Sequence, residues 1–317
     1  MTTPTSTITS YNTVGVREDL EDVIYRVAPE ETPFISNIGS AKASQTYHEW
    51  QTETLAAPSA VNAALEGDVF QIAAGNSTSR LGNYCQIFTK AYGVSRTDEV
   101  VKKAGRTSEL NRQKVLKGIE AKRDAEMRFI GNYASNAEAG PTPRYSAGAL
   151  AFLVTNTSVG AGGSNGGFAS GTVAASVNGA QRSFTESLVK TVMSAAFSSG
   201  GKPSQAYMGP TSKQEFSAFT GIAALRKDAP GDKMATIIGA ADVYVSDFGN
   251  LTLIPHPYGL TRDCLIIDPK MWAVGVLDGW KSTELAQTTD STQYALTFEA
   301  CLVARNEKAS GAVRDIA

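Results

Sequence analysis

The chain has 317 residues, of which 42% are hydrophobic and 19% charged, and its formal net charge is −2. That length holds one large or two ordinary domains, and near-neutrality leaves no overall basic field for nucleic acid. Three unevenly spaced cysteines, Cys85, Cys264 and Cys301, exclude a disulfide framework and fit a reducing compartment.

Residues 1–16 are rich in Thr and Ser and carry neither a basic nor an apolar signal region, so they read as a flexible arm. The segment 17–27 has Leu20, Val23, Ile24 and Val27 at helical spacing and predicts a short amphipathic helix. PEETPFISNIG follows. Thr32 as cap, Pro33 at the first helical position and Gly39 as stop predict a second helix over 33–38.

QTYHEWQTETL, residues 45–55, predicts a strand, since Thr, Tyr and Trp favour extended backbone. Tyr47, Glu49, Gln51, Glu53 and Leu55 alternate with Thr46, His48, Trp50, Thr52 and Thr54. Neither face is apolar, so the strand has no core of its own to enter. His48-Glu49 opens the zinc-protease pattern H-E-x-x-H, but position 52 is Thr52, and the second histidine, His256, lies far along the chain. Residues 56–82 are rich in Ala, Gly, Asn and Ser. Residues 83–96 predict a long returning strand with Tyr84, Gln86, Phe88, Lys90, Tyr92 and Val94 on one face. The two strands form an extended hairpin, marginal alone and in need of neighbours.

Residues 98–135 lack proline and show apolar positions at helical spacing, with Glu126 and Phe129 in that series. They predict one helix about 50 Å long, weakened at Gly105 and Gly118. Between 102 and 128 nine basic residues face four acidic ones. Either this is a solvated helix face, or Lys114, Lys117 and Arg128 face nucleic acid.

The glycine-rich stretch 136–182 contains no G-x-x-x-x-G-K-[ST] pattern and reads as a flexible surface loop. From 184 the pattern becomes compact α/β. FTESLVKTVMSAAFSSGG predicts a helix with a Gly-Gly stop, and Thr211 with Gln214 a capping box for SKQEFSAF. SQAYMGP, DVYVSDFG, LTLIPHP, CLIIDP and MWAVGVL predict short strands, and QYALTFEACLVARN at 293–306 a long one before the tail EKASGAVRDIA. Asp247-Phe248-Gly249 spells the kinase magnesium motif without its companions and reads as a hairpin turn. No G-x-S-x-G or clustered ligand set points to a catalytic residue, cofactor or metal, and no apolar run approaches the ~20 residues of a membrane span.

TPFISNIG, TYHEWQTETLAAP, RLGNYCQIFTKAYGVSRTDEVVKKAGR and LKGIEAKRDAEM together resemble the major capsid proteins of tailed double-stranded DNA bacteriophages with the Hong Kong 97 fold. RYSAGALAFLVTN, FTESLVKTV, GGKPSQAYMGPTSKQEFSAF and the strand with Glu299 and Arg305-Asn306 extend the resemblance, which covers about residues 30–306. It implies an α+β fold: an N-terminal arm (1–45), an extended β-hairpin loop (46–97), and a peripheral domain with a spine helix (98–183). An axial domain (184–285) follows, then a C-terminal strand returning to the peripheral domain (286–317). The implied role is catalysis-free self-assembly, as pentamers and hexamers, into an icosahedral head around double-stranded DNA. Scaffolding, portal and decoration proteins are implied partners, the bacterial cytoplasm is the implied place of assembly, and no membrane is involved. A scaffolding segment ahead of the arm is not expected.

Within that frame Glu49 and Glu53 are candidates for charge pairs with Lys90 or a neighbouring subunit, and Tyr47 and Trp50 for burial against adjacent chains. Lys90 is the only lysine between Thr46 and Thr97 and does not sit at the hairpin tip, so noncovalent locking is expected. Two other classes stay open on the residues alone: a metal-dependent hydrolase using His48, Glu49 and His256, and a phage or bacterial surface-binding module.

Overall fold

The computed structural model describes residues 28–29, 31–67, 69, 75, 77–105, 107–219, 242–287 and 289–317; the helix expected over 17–27 lies outside them. Helix α1 (Pro33–Asn37) starts on Pro33 as expected, but Thr32 makes no side-chain cap. Gly39 opens strand β1 (Gly39–Lys42) instead of closing the helix. Strands β2 (Tyr47–Thr52) and β3 (Ser79–Tyr84) form the antiparallel hairpin, with Tyr47 opposite Tyr84 and Thr52 opposite Ser79.

The single returning strand expected over 83–96 is two strands. Cys85 separates β3 from β4 (Gln86–Ser95), and the two belong to different sheets. Cys85 still serves the hairpin through its N–H, which donates to Thr46 O, but its carbonyl accepts from Arg144 Nε. From Gln86 onward the chain has a new neighbour.

The long helix is also divided. A turn of helix, α2 (Arg96–Val100), precedes the 22-residue α3 (Glu109–Ile130). Gly105 between them has φ +71°, a left-handed conformation that helices do not continue through. Ser108 then caps α3, its Oγ accepting from Asn111 N–H. At 1.5 Å per residue α3 spans about 33 Å, shorter than the helix expected from periodicity.

Beyond it come helix α4 (Ala149–Phe152) and the short strands β5 (Thr157–Ser158), β6 (Gly167–Ala169) and β7 (Thr172–Ala174). Helix α5 (Glu186–Ser198) follows the expected apolar face, burying Val189, Val192, Met193 and Ala196. Strand β8 (Gln205–Met208) leads into α6 (Pro210–Ser217), whose N-cap is Gly209; Thr211 lies inside the helix, so the expected capping box is absent. Strands β9 (Val243–Ser246) and β10 (Gly249–Pro255) meet in a hairpin across Asp247-Phe248, as the turn reading required. Strands β11 (Cys264–Ile267), β12 (Trp272–Glu284), β13 (Ser291–Ala304) and β14 (Gly311–Val313) complete the order.

Two main sheets organise the described residues. One has the order β1-β12-β13-β4, the other β5-β14-β11-β8-β10-β9. Helix α3 packs on the first sheet through Phe129, which meets Phe88 edge-on at 5.7 Å, while Phe88 stacks on Phe298 at 4.8 Å. Phe34 of α1 and Trp272 of β12 close the same core. The second sheet carries α5 and α6, with Met193, Phe216, Leu251 and Cys264 in its core. Strand β12, which the sequence grouped with the compact C-terminal region, belongs to the first sheet.

Two stretches fold more tightly than their composition suggests. The glycine-rich segment expected to be a flexible surface loop is close-packed. A Cβ at Gly166 would stand 2.0 Å from Ala174 O, and one at Gly160 2.2 Å from Ala180 O. The C-terminal tail is interior: residues 309–316 are all buried, and β14 lies between β5 and β11.

Candidate assembly surfaces

The β2–β3 hairpin is anchored at its root and open at its far end. At the root, Trp50 Nε1 donates to Ala304 O at 2.7 Å, and its ring lies 6.1 Å from that of Phe152. An indole suits a site that is apolar on one side and offers an acceptor on the other. Trp50 is therefore half-buried against its own chain, and the strand does have one face that packs: His48, Trp50 and Thr52 are half-buried while Glu49 and Gln51 are exposed. The Tyr47 ring lies tilted against that of Tyr84, centroids 4.6 Å apart, and occupies the space a side chain at Gly82 would need. Burial raises the Tyr47 hydroxyl above its ordinary pKa, with Glu49 adding to the effect; burial lowers that of the His48 imidazole.

The charge pairs differ from those expected. Lys90 Nζ meets Asp124 Oδ2 at 2.6 Å and so ties β4 to α3. It faces neither Glu49 nor Glu53. Glu49 meets Arg80 across the hairpin at 3.6 Å, both well exposed, an arrangement of small energetic weight. Glu53 is exposed. From Glu53 to Gly67 every residue is exposed, including Val61 at 88% and Leu65 at 81%. Apolar side chains held in water on an anchored arm form a surface suited to burial in a protein contact.

The basic positions on α3 differ in their engagement. Lys114 is exposed, and Lys117 Nζ pairs with Glu120 at 2.8 Å. Arg128 is a structural residue. Its guanidinium lies between the rings of Tyr133 and Tyr145, 4.9 Å from each centroid, and donates to Ser146 O at 2.6 Å and Ala134 O at 2.7 Å. Burial lowers its pKa. Its hydrogen-bonding capacity is largely spent within its own chain.

Sequence reasoning missed two polar residues that hold the fold together. Glu126, fully buried on α3, accepts from Phe34 N–H at 2.6 Å and Ile35 N–H at 2.8 Å, capping the start of α1 from a distance. His256 Nε2 lies 3.0 Å from the same carboxylate, and its Nδ1 lies against Tyr258 O. His256 is thus fully engaged, away from His48, which removes the pairing that a metal-dependent hydrolase required. Among the described residues no group of three or more His, Cys, Asp or Glu is placed to hold a metal ion. Helical spacing put Glu126 on the Phe129 face, and a carboxylate on an apolar face was the available signal. Arg144 is the second such residue: it donates to Cys85 O at 2.6 Å and pairs with Glu299 at 2.6 Å and Glu138 at 2.9 Å. Nothing in its surroundings in the sequence marked it. No described helix is long and apolar enough to cross a membrane.

A spine helix laid on a four-stranded sheet, a second sheet flanked by helices, and a projecting hairpin are the parts of the Hong Kong 97 capsid fold. Solved capsids share it along nearly the whole chain. The cyanophage A-1(L) capsid is 10% identical with a TM-score of 0.68, covering 95% of this chain and 97% of that one. The capsid of a native GTA particle is 13% identical with a TM-score of 0.61, covering 97% and 98%. The phage G assembly of gp27 major capsid and gp26 decoration proteins is 12% identical with a TM-score of 0.55, covering both chains fully. The fold is therefore that of phage-type shell subunits. Within it, the chain belongs to the SU10 major capsid protein family, whose match runs over residues 3–317. A curated relative, the major capsid protein of Escherichia phage Phieco32, is 34% identical over 125 residues, a segment covering 39% of this chain and 36% of that protein.

Proposed function

We propose that the chain builds the icosahedral head of a tailed phage, assembling as pentamers and hexamers around packaged double-stranded DNA and catalysing no reaction. The observation that carries this is the hairpin: a root fixed to the chain by Trp50, and beyond it an exposed run holding Leu55, Val61 and Leu65 in water. In a shell those side chains lie against an adjacent subunit, gaining roughly 25 cal/mol for each Å² of apolar surface they bury. Glu49 and Glu53 form the polar rim of that contact, and Tyr47 stiffens the arm from within. Subunits are held noncovalently.

In domain terms, the four-stranded sheet with α3 is the peripheral domain, and the six-stranded sheet with α5 and α6 is the axial domain. The N-terminal arm extends to about residue 45 and the extended loop from 46. The tail past β13 serves the axial sheet through β14. On the inner surface Lys114 and Lys117 meet DNA phosphates without reading sequence, a contact weakened by salt. A separate scaffolding protein, a portal and decoration proteins complete the head, which is assembled in the bacterial cytoplasm.

Electron microscopy of the expressed protein, with and without co-expressed head proteins of its own phage, tests the reading. Shells, tubes or capsomers are expected, and a single band near 33.5 kDa on denaturing gels. A chain that stays monomeric under every such condition overturns it.

A further inference from the structure

We propose that Cys85 and Cys301 are a redox modification site: a peroxide converts the two thiols to a disulfide that ties the root of the β2–β3 hairpin to strand β13. This rests on the hairpin root alone and stands whether or not shells form.

Register is the first observation. Strand β13 pairs antiparallel with β4, with Glu299 opposite Ile87 and Ala300 opposite Gln86. One step further the ladder ends: Cys85 lies between β3 and β4, and Cys301 is the next residue along β13. A disulfide bridges Cα atoms roughly 4.4–6.8 Å apart, and neighbouring strands lie about 4.7–4.9 Å apart. The backbone of Cys85 is engaged elsewhere: its N–H donates to Thr46 O and its carbonyl accepts from Arg144 Nε. These bonds tie Cys85 to the hairpin root and to Arg144 and leave its side chain in the cluster that holds Cys301.

Surroundings are the second. Both cysteines are buried in a small apolar cluster with Ala43, Ala273 and Val303, separate from the two main cores. The two thiols interact with each other, and the Cys85 thiol also reaches Gln45 O at 3.6 Å. The interaction with Cys301 lowers the Cys85 pKa, burial opposes it, the Arg144 guanidinium lowers it and Glu299 raises it; the same interaction, with burial, raises Cys301. Of the two, Cys85 is the more easily deprotonated, which suits it as the attacking cysteine beside a resolving one. Cys264 is different: it is buried in the second core, where desolvation raises its pKa.

The chemistry balances with the peroxide as the sole oxidant. The Cys85 thiolate attacks one peroxide oxygen, the O–O bond breaks, and the departing hydroxide takes a proton to become water. Cys85 is then a sulfenic acid. The Cys301 sulfur attacks the Cys85 sulfur, the S–O bond breaks, and the leaving hydroxide takes the Cys301 proton as a second water. Two thiols lose two electrons and the peroxide gains them. Because both thiols are buried, access needs a small oxidant and a brief opening at the Thr46–Cys85 contact.

Location gives the bond its consequence. Cys85 is the junction between the hairpin and the four-stranded sheet, so the bond joins two elements that otherwise meet through noncovalent contacts there. It leaves the exposed face of the hairpin untouched.

The test is treatment of the full-length folded protein with dilute hydrogen peroxide. Loss of two hydrogens by intact mass is expected, with a peptide linking Cys85 to Cys301 in non-reducing digests. Reductant should reverse both, and the urea midpoint of the oxidised protein should rise. Cys264→Ser should preserve the link. Cys301→Ser should abolish it and leave Cys85 as a sulfenic acid trapped by a dimedone-type reagent. Both thiols remaining fully alkylatable after peroxide and subsequent denaturation overturns the proposal, as does oxygen addition at Cys85 or a link to Cys264 in place of the Cys85–Cys301 bond.

Discussion

The tail at 309–316 and the hairpin segment at 53–67 are opposites in burial and nearly alike in composition. Both are built largely from Ala, Gly, Ser and a few aliphatic and charged residues. Yet every residue of the first is buried and every residue of the second is exposed. The tail is held by backbone and polar contacts. Strand β14 bonds to β11 and β5, Asn156 Nδ2 donates to Lys308 O and Ser310 O, and Asp315 accepts from the N–H groups of Gly160 and Gly179 and from Arg262. Among the described residues the hairpin segment has no comparable set of partners. Burial therefore follows from whether a backbone finds a sheet to enter, and side-chain hydropathy alone did not separate these two cases.

Removing the tail should have the largest effect. Deleting residues 310–317 takes β14 out of the sheet and strips Gly160, Gly179 and Arg262 of their carboxylate partner. No cooperatively folded monomer is expected, by circular dichroism and by urea titration. Native-like unfolding of the truncated chain would show that the tail is an accessory.

Gly166→Ala comes next. The added methyl meets Ala174 O and must move backbone, for a loss of about 3 kcal/mol in denaturant unfolding. A neutral outcome would return the glycine-rich stretch to the flexible loop its composition suggests.

Trp50→Ala tests the boundary between the two regimes, because the hairpin root is part of the chain's own fold. A half-buried indole with one hydrogen bond should contribute about 2–3 kcal/mol to the isolated subunit. A change confined to shell stability, with the dissociated subunit unaffected, would move Trp50 to the subunit interface.

Leu55→Asp and Leu65→Asp should act least on the chain itself, within about 0.5 kcal/mol in subunit unfolding. Their effect should appear in particle yield and in the denaturant needed to dissociate shells. Unfolding of the subunit by either change would mean that the exposed run packs on its own chain.

Much of the fold was legible where period and punctuation agreed. Helix α5 follows its apolar spacing and its Gly-Gly stop, and Gly200 takes the left-handed conformation such a stop uses. Strands β8 to β13 start close to where apolar runs and turns placed them, though β12 runs on past the expected MWAVGVL to Glu284. The helix over 98–135 was correct in type and wrong in length, since Gly105 was read as a weak point when it is a break. Among the candidate site residues, Lys90 and Arg128 were identified by charge alone. Each is bound within its own chain, Lys90 by Asp124 and Arg128 by two tyrosines and two carbonyls.

By itself the sequence determined the local elements and the shell-protein resemblance, because periodicity, caps and turn residues act over a few neighbouring positions. Tertiary structure alone decided which strand Cys85 ends, where Glu126 and Asp315 find the amides they accept from, and why a polar tail becomes interior. Those outcomes depend on partners dozens to more than a hundred residues away, and no local pattern records a hydrogen bond that only the folded chain can make.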